Sequence, residues 1–261
     1  MAEVELFLGK SIEENASIYF DRAKKLKKKM EGAKEAIEIY EKKLSKLENL
    51  KSEEKKEYDK NKKTVKIKKE WYEKFRWFIS SEDFLVIGGR DATTNEIVIK
   101  KHTDKNDVVF HTDLAGSPFF VIKTEGKKPG MNTMQETADA TVTFSRVFKL
   151  GNSNSPVFYV QPEQVSKEAQ SGEYLTKGAF MIRGKTNYID NKVNLAVGKL
   201  KDGRLMAGPV EAVKSQCKDY ILLEQGESKT STIAKKIKAK LGGILDDIIR
   251  ILPAGGIQII K

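Results

Sequence analysis

The sequence predicts an α+β protein, in which a mixed β-sheet domain with packed helices follows a long antiparallel coiled-coil hairpin and precedes a small β-rich C-terminal unit. Three observations lead to this fold class. Apolar residues at coiled-coil spacing fill the start of the chain, short apolar runs with glycine turns fill its middle, and short runs separated by polar turns fill its end. The predicted domains are a coiled-coil arm over 1–76, a central domain over 77–189 and a small C-terminal α/β extension over 190–261.

The first predicted element is a long coiled-coil helix. Ser11 and Glu14 have the spacing of a capping box, which predicts that the helix starts there and runs for about 40 residues, or roughly 60 Å. Apolar or small residues then recur at alternating steps of four and three, as in the seam of a coiled coil, at Ile12, Ala16, Tyr19, Ala23, Leu26, Met30, Ala33, Ile37, Tyr40, Leu44 and Leu47.

A second helix is predicted to return antiparallel to the first. The expected break is Asn49–Lys51, and Ser52 is the expected N-cap because two glutamates follow it. The seam of this helix is weaker and consists of Tyr58, Val65, Tyr72, Phe75 and Ile79. The outer lysines are either a solvated helix surface or a basic lever that lies along RNA or a ribosomal protein: Lys24, Lys25, Lys27, Lys28, Lys29, Lys62, Lys63, Lys66, Lys68 and Lys69.

The central domain is predicted to contain a mixed sheet with a helix inserted early. Apolar runs predict strands at Phe84–Ile87, Val108–Thr112, Phe119–Lys123, Val157–Val160 and Ala179–Arg183. Gly88 and Gly89 predict a tight turn after the first strand. Asp91 can cap a helix that runs to Lys101, whereas the β-branched residues Ile97–Ile99 favour a strand there.

A long helix and a small unit complete the predicted chain. The spacing of Thr133 and Glu136 is a second capping box and predicts a helix to Leu150, with Gly151 as its stop. The extension is predicted to hold antiparallel strands from Val193–Leu200, Leu205–Val213 and Tyr220–Glu224, a helix capped by Ser231 or Thr232 with Ile233, Ile237 and Leu241 on one face, a short helix from Asp246-Asp247 that Pro253 stops, and an edge strand at Ile257–Ile260.

The composition favours a cytoplasmic protein with a polyanionic partner. The 261 residues carry a formal net charge of +11, which suits a polyanion, although lysine-rich surfaces also serve only to keep a protein in solution. A single cysteine, Cys217, excludes an internal disulfide framework and, with two histidines, leaves no convincing zinc site. The amino terminus has acidic residues where a signal peptide needs basic ones, and no run approaches the roughly 20 apolar residues of a membrane span.

The motifs of the central domain occur in a specific order and spacing between roughly Trp77 and Lys185. They are Ile87-Gly88-Gly89-Arg90-Asp91-Ala92, Asn95-Glu96, His111, Asp113-Leu114, Gly116, Gln164-Val165-Ser166-Lys167, Gly172-Glu173-Tyr174-Leu175 and Phe180-Met181-Ile182-Arg183-Gly184-Lys185. This series closely resembles the RNA-binding C-terminal module (NFACT-R) of the NFACT family, and the arm is similar to the family's middle coiled coil. The resemblance favours the helix over Asp91–Lys101. Lys167–Gly172 departs from the family pattern because it lacks the proline that relatives often carry there.

The resemblance implies the RNA-binding part of a ribosome-associated quality control factor, with no catalytic residues, metals or cofactors. By resemblance, the whole protein recognises large ribosomal subunits obstructed by peptidyl-tRNA and supports tailing of the nascent chain. Its partners would be tRNA and the large ribosomal subunit, with tRNA or rRNA at the central domain and ribosomal proteins at the coiled coil. Nascent-chain quality control factors would be further partners. Family members carry an N-terminal module before the coiled coil, so the sequence is expected to be a C-terminal fragment or a natural short form.

The predicted RNA contacts are basic, polar and aromatic residues, and several of them have an alternative role. Arg90 precedes a helix start, where it either receives a phosphate or forms a structural ion pair. His111 and Asp113 lie on one strand face and are expected to form a hydrogen-bonded pair or to contact RNA rather than to act in catalysis. Tyr174 and Phe180 could stack on a base, although Phe180 also suits the core. The full set is Arg90, Lys100, Lys101, His111, Asp113, Ser117, Lys123, Lys167, Tyr174, Arg183 and Lys185.

Two other functions remain open at this level. A protein-interaction scaffold would act through the coiled coil without specific RNA binding, and its basic charge would be incidental. An RNA hydrolase would use His111 and Asp113, but no nucleophile motif accompanies them.

Overall fold

The computed structural model describes residues 5–61, 69–168 and 175–260, with side chains described outside 49–61. The chain divides into two compact units, Met1–Lys66 and Ile67–Lys261, and each is treated by itself. The predicted α+β fold class is confirmed. Across the described residues no helix has the length and apolar character that a bilayer span requires.

The first unit is built on one long helix, α1 (Ile12–Asn61). The predicted capping box is confirmed, because the Glu14 amide donates to Ser11 Oγ at 3.1 Å and the Ser11 amide donates to Glu14 Oε2 at 2.8 Å. At 50 residues, α1 is about 75 Å long.

The long helix fits the first arm of the predicted coiled-coil hairpin, but the predicted position of the break is wrong. The backbone stays helical through Asn49–Lys51, so Ser52 lies inside α1 and is not an N-cap. None of these residues is glycine or proline, and each costs a helix interior less than about 1 kcal/mol. The predicted seam residue Val65 and the predicted outer lysines Lys62, Lys63, Lys66 and Lys68 lie outside the described residues.

The second unit begins with a short 3₁₀ helix (Trp71–Lys74), so Tyr72 does not continue a coiled-coil seam. The elements that follow are β1 (Arg76–Ile79), β2 (Leu85–Gly88), α2 (Ala92–Lys101), β3 (Val108–Thr112), β4 (Phe120–Lys123), α3 (Met131–Thr143), α4 (Arg146–Leu150), β5 (Val157–Val160), β6 (Val165–Ser166), β7 (Met181–Ile182), β8 (Asn187–Ile189), β9 (Leu195–Lys199), β10 (Leu205–Gly208), α5 (Val210–Gln216), β11 (Asp219–Ser228), α6 (Thr230–Leu241), α7 (Leu245–Ile251) and β12 (Ile257–Ile259).

The main sheet has the strand order β1-β2-β4-β3-β5-β8. Each neighbouring pair is antiparallel, so the sheet is antiparallel rather than mixed as predicted. α3 packs across β3, β4 and β5, and α2 packs against β2. Phe78, Phe110 and Phe120 are fully buried, which places the core of this unit on the sheet. The segment from Asp91 to Lys101 forms a helix, as the family resemblance predicted, and not the alternative strand.

The long helix predicted from Thr133 to Leu150 is two helices. α3 begins after Gly130, and the predicted capping-box residues have other partners: Thr133 Oγ1 donates to Ser80 Oγ at 3.0 Å, and Glu136 accepts the Ser81 amide at 2.9 Å. Both side chains are buried, so contacts to the β1–β2 turn replaced the local cap. Ser145 caps α4, and the predicted stop at Gly151 is confirmed by its left-handed φ of 77°.

The strand predicted at Ala179–Arg183 is short and does not join the main sheet. Only β7 is extended there, and it pairs with β6 in a separate two-stranded sheet. Gly178 and Gly184 have φ of 81° and 80°, so the chain turns on both sides of the strand. β8, which the sequence did not predict, takes the sheet edge beside β5.

The C-terminal elements form a second antiparallel sheet of order β10-β9-β11-β12. The predicted edge strand is confirmed. The run Leu205–Val213 is part strand and part helix, because Pro209 cannot extend the ladder and its φ of −57° suits a helix start. Helix α6 buries Ile233, Ile237 and Leu241 as predicted, but it starts at Thr230 with Lys229 as N-cap, so the predicted cap at Ser231 or Thr232 is wrong. Helix α7 ends before Pro253.

Candidate nucleic-acid interface

A cleft of about 340 Å³ opens beside the start of α2. Its walls come from β1, the β2–α2 loop, β3, the 115–119 loop and the segment 176–182. Three of the predicted RNA contacts line it: Arg90, His111 and Ser117. The cleft also contains Arg76, which the sequence analysis missed.

Arg76 reaches the cleft from the edge of the main sheet. Its strand partner is Gly88, so the register of β1 and β2 brings Arg76 next to the loop that carries Arg90. The Arg76 guanidinium donates from Nη1 to the Leu252 carbonyl at 3.2 Å and lies 4.4 Å from the centre of the Phe144 ring. Burial, and then the charge of Arg90, lower the pKa of Arg76 to about 9. Arg76 therefore carries its charge in a poorly hydrated place, and no carboxylate of the described side chains forms an ion pair with it.

The pKa of Arg90 is also lowered. Burial is the largest cause that lowers its pKa, followed by Arg250, while Asp91 and Asp247 raise it. Within residues 5–48, 69–168 and 175–260, the Arg90 and Arg76 guanidinium groups form no ion pair. The structural ion pair considered for Arg90 is thus not observed, and two adjacent positive charges face the cleft.

Side chains of α2 and its N-cap accept the hydrogen bonds of backbone amides at the start of the helix. Asp91 is the N-cap: its Oδ1 accepts the Thr94 amide at 2.8 Å, and this hydrogen bond is the largest cause that lowers its pKa. The amides of Arg90 and Asp91 both donate to Thr94 Oγ1, at 2.8 and 2.9 Å. A phosphate in the cleft would therefore meet the arginine side chains rather than the helix amides.

Asn95 and Gly89 hold the α2 end of the cleft in place. The buried Asn95 side chain accepts the Phe119 amide at 3.2 Å and donates to the Ser117 carbonyl at 3.4 Å. A Cβ on Gly89 would overlap the Asn95 side chain, so the loop requires glycine there. These contacts fix the 115–119 loop relative to α2.

His111 is packed inside the cleft wall. Its ring stacks on Phe119 with centroids 4.1 Å apart, and because a carbonyl oxygen only accepts, its Nε2 donates to Ser117 O at 3.2 Å. Burial is the main cause that lowers the pKa of His111. Asp113 instead accepts the Tyr188 hydroxyl at 3.2 Å, so the expected His111–Asp113 hydrogen bond is not formed.

Two predicted lysine contacts are occupied by the protein itself. Lys167 Nζ lies 2.8 Å from Glu96 Oε1 and donates to the carbonyls of Ala179 and Thr176 at 2.9 and 3.1 Å. Three contacts match the three N–H donors of an ammonium group. Lys123 Nζ contacts Asp107 and Asp104 and donates to the His102 carbonyl. In this structure both lysines hold segments together.

The remaining predicted contacts among the described residues do not line the cleft. Lys100 is ion-paired with Glu96 at 3.5 Å, and Lys101 is exposed. Arg183 donates from Nη2 to the Glu168 carbonyl at 3.1 Å, and the Lys185 side chain is exposed. Tyr174 falls outside the described residues. The partly buried Phe180 lines the cleft and packs edge-on against Phe119 at 5.4 Å.

One sequence signal could have identified Arg76. It is the one charged residue in the run Phe75–Ile79, whose other members are apolar, and a charge in such a run has to reach solvent, a partner or a ligand. The sequence pattern instead placed Arg76 at the end of the coiled-coil arm and began the central domain at Trp77.

Residues 74–184 match a protein family described as the NFACT protein RNA binding domain. An archaeal Rqc2 homolog, aRqcH, from Methanocaldococcus jannaschii is 44% identical over 207 residues, which cover 77% of this chain and 31% of that protein. The human ribosome quality control complex subunit NEMF is 38% identical over 184 residues, which cover 67% of this chain and 16% of that protein. The chain thus spans less than a third of the length of these relatives.

Among solved structures, the C-terminal part of a fibronectin/fibrinogen-binding protein from Streptococcus suis matches with a TM-score of 0.40 and 16% identity, over 59% of this chain and 52% of that one.

Proposed function

The chain belongs to the NFACT family, and from this premise we propose that it is the RNA-binding part of a ribosome quality control factor, with the cleft around Arg76 and Arg90 as its principal RNA contact. The observation that carries the proposal is the pair of arginines without a carboxylate partner in the described residues. The charge of Arg90 lowers the pKa of Arg76, and the charge of Arg250 lowers the pKa of Arg90, so an RNA phosphate beside the two cleft arginines would offset this excess of positive charge.

The cleft suits RNA for a second reason, which is its mixed lining. Phe119, Phe144 and Phe180 supply apolar surface next to the two arginines. A cleft of about 340 Å³ is at the small end of ligand pockets and fits a nucleotide unit rather than a duplex. Arginine favours phosphate because its planar group offers paired donors.

We extend the proposal to the whole protein through its relatives, whose names include ribosome quality control complex subunits. The protein recognises large ribosomal subunits obstructed by peptidyl-tRNA, works in the cytoplasm and supports tailing of the nascent chain. The central domain contacts tRNA or rRNA, and the helical arm reaches ribosomal proteins. It acts as an adaptor, and the ribosome performs peptidyl transfer.

The test is a salt series of tRNA affinities for Arg90→Ala and a charge-matched control. The control is Lys214→Ala, an exposed lysine of α5 that pairs with Glu211 at 3.1 Å and does not line the cleft. We expect Arg90→Ala to weaken binding of unmodified tRNA about tenfold and to reduce the salt slope by roughly one phosphate contact, while the control stays close to the unmodified chain. Fluorescence anisotropy with labelled tRNA measures both quantities.

Double-stranded DNA provides the second comparison. A shaped RNA site prefers tRNA over DNA at every salt concentration, and Arg90→Ala reduces that preference. Equal losses for the two variants, together with equal affinity for both polymers, would mean diffuse electrostatic attraction and would overturn the proposal.

A protein-interaction scaffold is the second candidate, and the surface of α1 favours it. In the described part of this helix, Leu26, Met30, Ile37, Leu44 and Leu47 are each more than half exposed. Such a face suits a partner helix. Unchanged RNA affinity in Arg90→Ala, combined with loss of ribosome binding in Leu26→Glu, would support this function over the first.

A further inference from the structure

An exposed aromatic stack lies outside the cleft, at the start of the second unit. The Trp71 ring stacks on the His102 ring with centroids 4.5 Å apart and planes inclined by 17°. The edges of Tyr72 and Phe75 hold Trp71 at 5.6 and 6.4 Å. Trp71 is nevertheless 44% exposed. Since His102 covers one face, the exposed surface belongs to the rest of the indole.

The surroundings of this stack are positively charged. Lys74, Lys123 and Lys101 lie close enough to His102 to lower its pKa, after burial as the largest cause. Lys123 is neutralised by two aspartates. Lys74 and Lys101 form no ion pair in the described portion of the chain, and both are exposed. Lys74 Nζ lies 4.9 Å from the centre of the Phe75 ring, which itself contacts Trp71 edge-on, so a cation without a carboxylate partner in the described residues lies beside this aromatic cluster.

We propose that Trp71, backed by His102, is a stacking platform for an unpaired base of single-stranded RNA, with Lys74 and Lys101 at the adjoining phosphates. Neither Trp71 nor His102 lines the arginine cleft, so the platform is a second contact point. It relies on the proposed function only for the class of ligand.

An exposed indole offers a flat surface on which a planar ligand can stack. Every nucleobase has a π-face, so an aromatic ring that is fixed in orientation binds unstacked bases with little regard to sequence. The contacts of Trp71 with three aromatic side chains fix that orientation in advance. A paired base is already stacked within its duplex and offers no free face, so the platform distinguishes single strands from duplexes.

The first experiment compares Trp71→Ala with Trp71→Phe in the full chain. The ligands are a labelled single-stranded RNA and the blunt duplex of the same sequence. We expect Trp71→Ala to weaken single-strand binding by about 5-fold to 150-fold, and Trp71→Phe to recover most of it because a ring remains. Duplex affinity stays unchanged, and so does the salt slope for the single strand, because no charge is removed.

The second experiment measures the unmodified chain and uses the conservative variant Trp71→Phe only as its control. The chain has two tryptophans, and Trp77 is only 5% exposed, so quenching by acrylamide reports Trp71. We expect single-stranded RNA to quench the emission and to shield it from acrylamide. In Trp71→Phe, where only the buried Trp77 emits, the RNA response should disappear.

Three results would overturn the platform. They are unchanged single-strand affinity in Trp71→Ala, an equal loss for the duplex, and an RNA response that persists in Trp71→Phe. The first of these would leave the exposed stack as a contact for a protein partner. The arginine cleft is tested independently of the platform, because loss of its phosphate contact would change the salt slope and would be seen in Arg90→Ala.

Discussion

Replacing Lys123 with alanine should destabilise the second unit, although the sequence pattern assigned Lys123 to RNA binding. Lys123 Nζ contacts the carboxylate of Asp107 and donates to the His102 carbonyl at 2.9 Å. Asp107 is only 1% exposed, whereas the second carboxylate partner, Asp104, is 83% exposed. Removal of Lys123 leaves a buried carboxylate without its cation.

The expected magnitude follows from that burial. Breaking a buried ion pair by deleting one partner costs about 3–5 kcal/mol, and the exposed Asp104 contact adds little. Asp107 keeps the amides of Thr124 and Asp104 as donors, at 3.0 and 2.7 Å. These remaining bonds favour the lower end, about 3 kcal/mol. With a urea slope of about 2 kcal/mol/M, the midpoint would fall by about 1.5 M.

Urea unfolding followed by tryptophan emission measures this loss, because the buried Trp77 reports the main sheet. Lys101→Ala is the matched control: an exposed lysine of α2 with no ion pair in the described residues, for which we expect a change within about 0.5 kcal/mol. Adding Asp107→Asn to Lys123→Ala should recover part of the loss, since no buried charge then lacks a partner. Equal stability of Lys123→Ala and Lys101→Ala would refute the reasoning.

Two further predictions concern titratable groups. The hydrogen bond from Lys167 is the largest cause that lowers the pKa of Glu96 to about 2 from its ordinary 4.5. The stability that ionised Glu96 contributes is therefore complete above about pH 4.5 and is lost as the pH falls towards 2. Between about pH 2 and 6, the urea midpoint of Glu96→Gln should therefore fall less with acid than that of the unmodified chain. Identical acid profiles for the two chains would contradict this. Burial raises the pKa of the Cys217 thiol to about 11, so iodoacetamide near pH 7 should label this single cysteine only after unfolding. Mass spectrometry measures the labelling, and native labelling at the rate of the urea-unfolded chain would show that the thiol is accessible.

Local patterns predicted the elements that depend on neighbouring residues. The capping box at Ser11, the cap at Asp91 and the stop at Gly151 were all confirmed, because each involves hydrogen bonds or backbone angles within one turn of chain. Strands β2 to β5 were also predicted correctly, because each is a continuous apolar segment that can be recognised from neighbouring residues. The order of motifs also identified the family.

Two predictions failed because a distant segment offered a better partner. The capping box at Thr133 was not formed because Ser80 and Ser81 bind its two residues from the β1–β2 turn. The strand at Ala179–Arg183 paired with β6 and not with the main sheet. Both outcomes depend on contacts between residues that lie far apart in the sequence.

The sequence by itself determined the α+β class, the long N-terminal helix, the positive charge and the family. The sequence could not determine which charged side chains remain available to bind RNA, because the residues around a lysine do not reveal whether a distant carboxylate pairs with it in the folded chain. Only the tertiary structure paired Lys167 with Glu96 and Lys123 with Asp107, and only the register of β1 against β2 brought Arg76 beside Arg90. The energy of a charge depends on its burial and its neighbours, and both are properties of the folded chain.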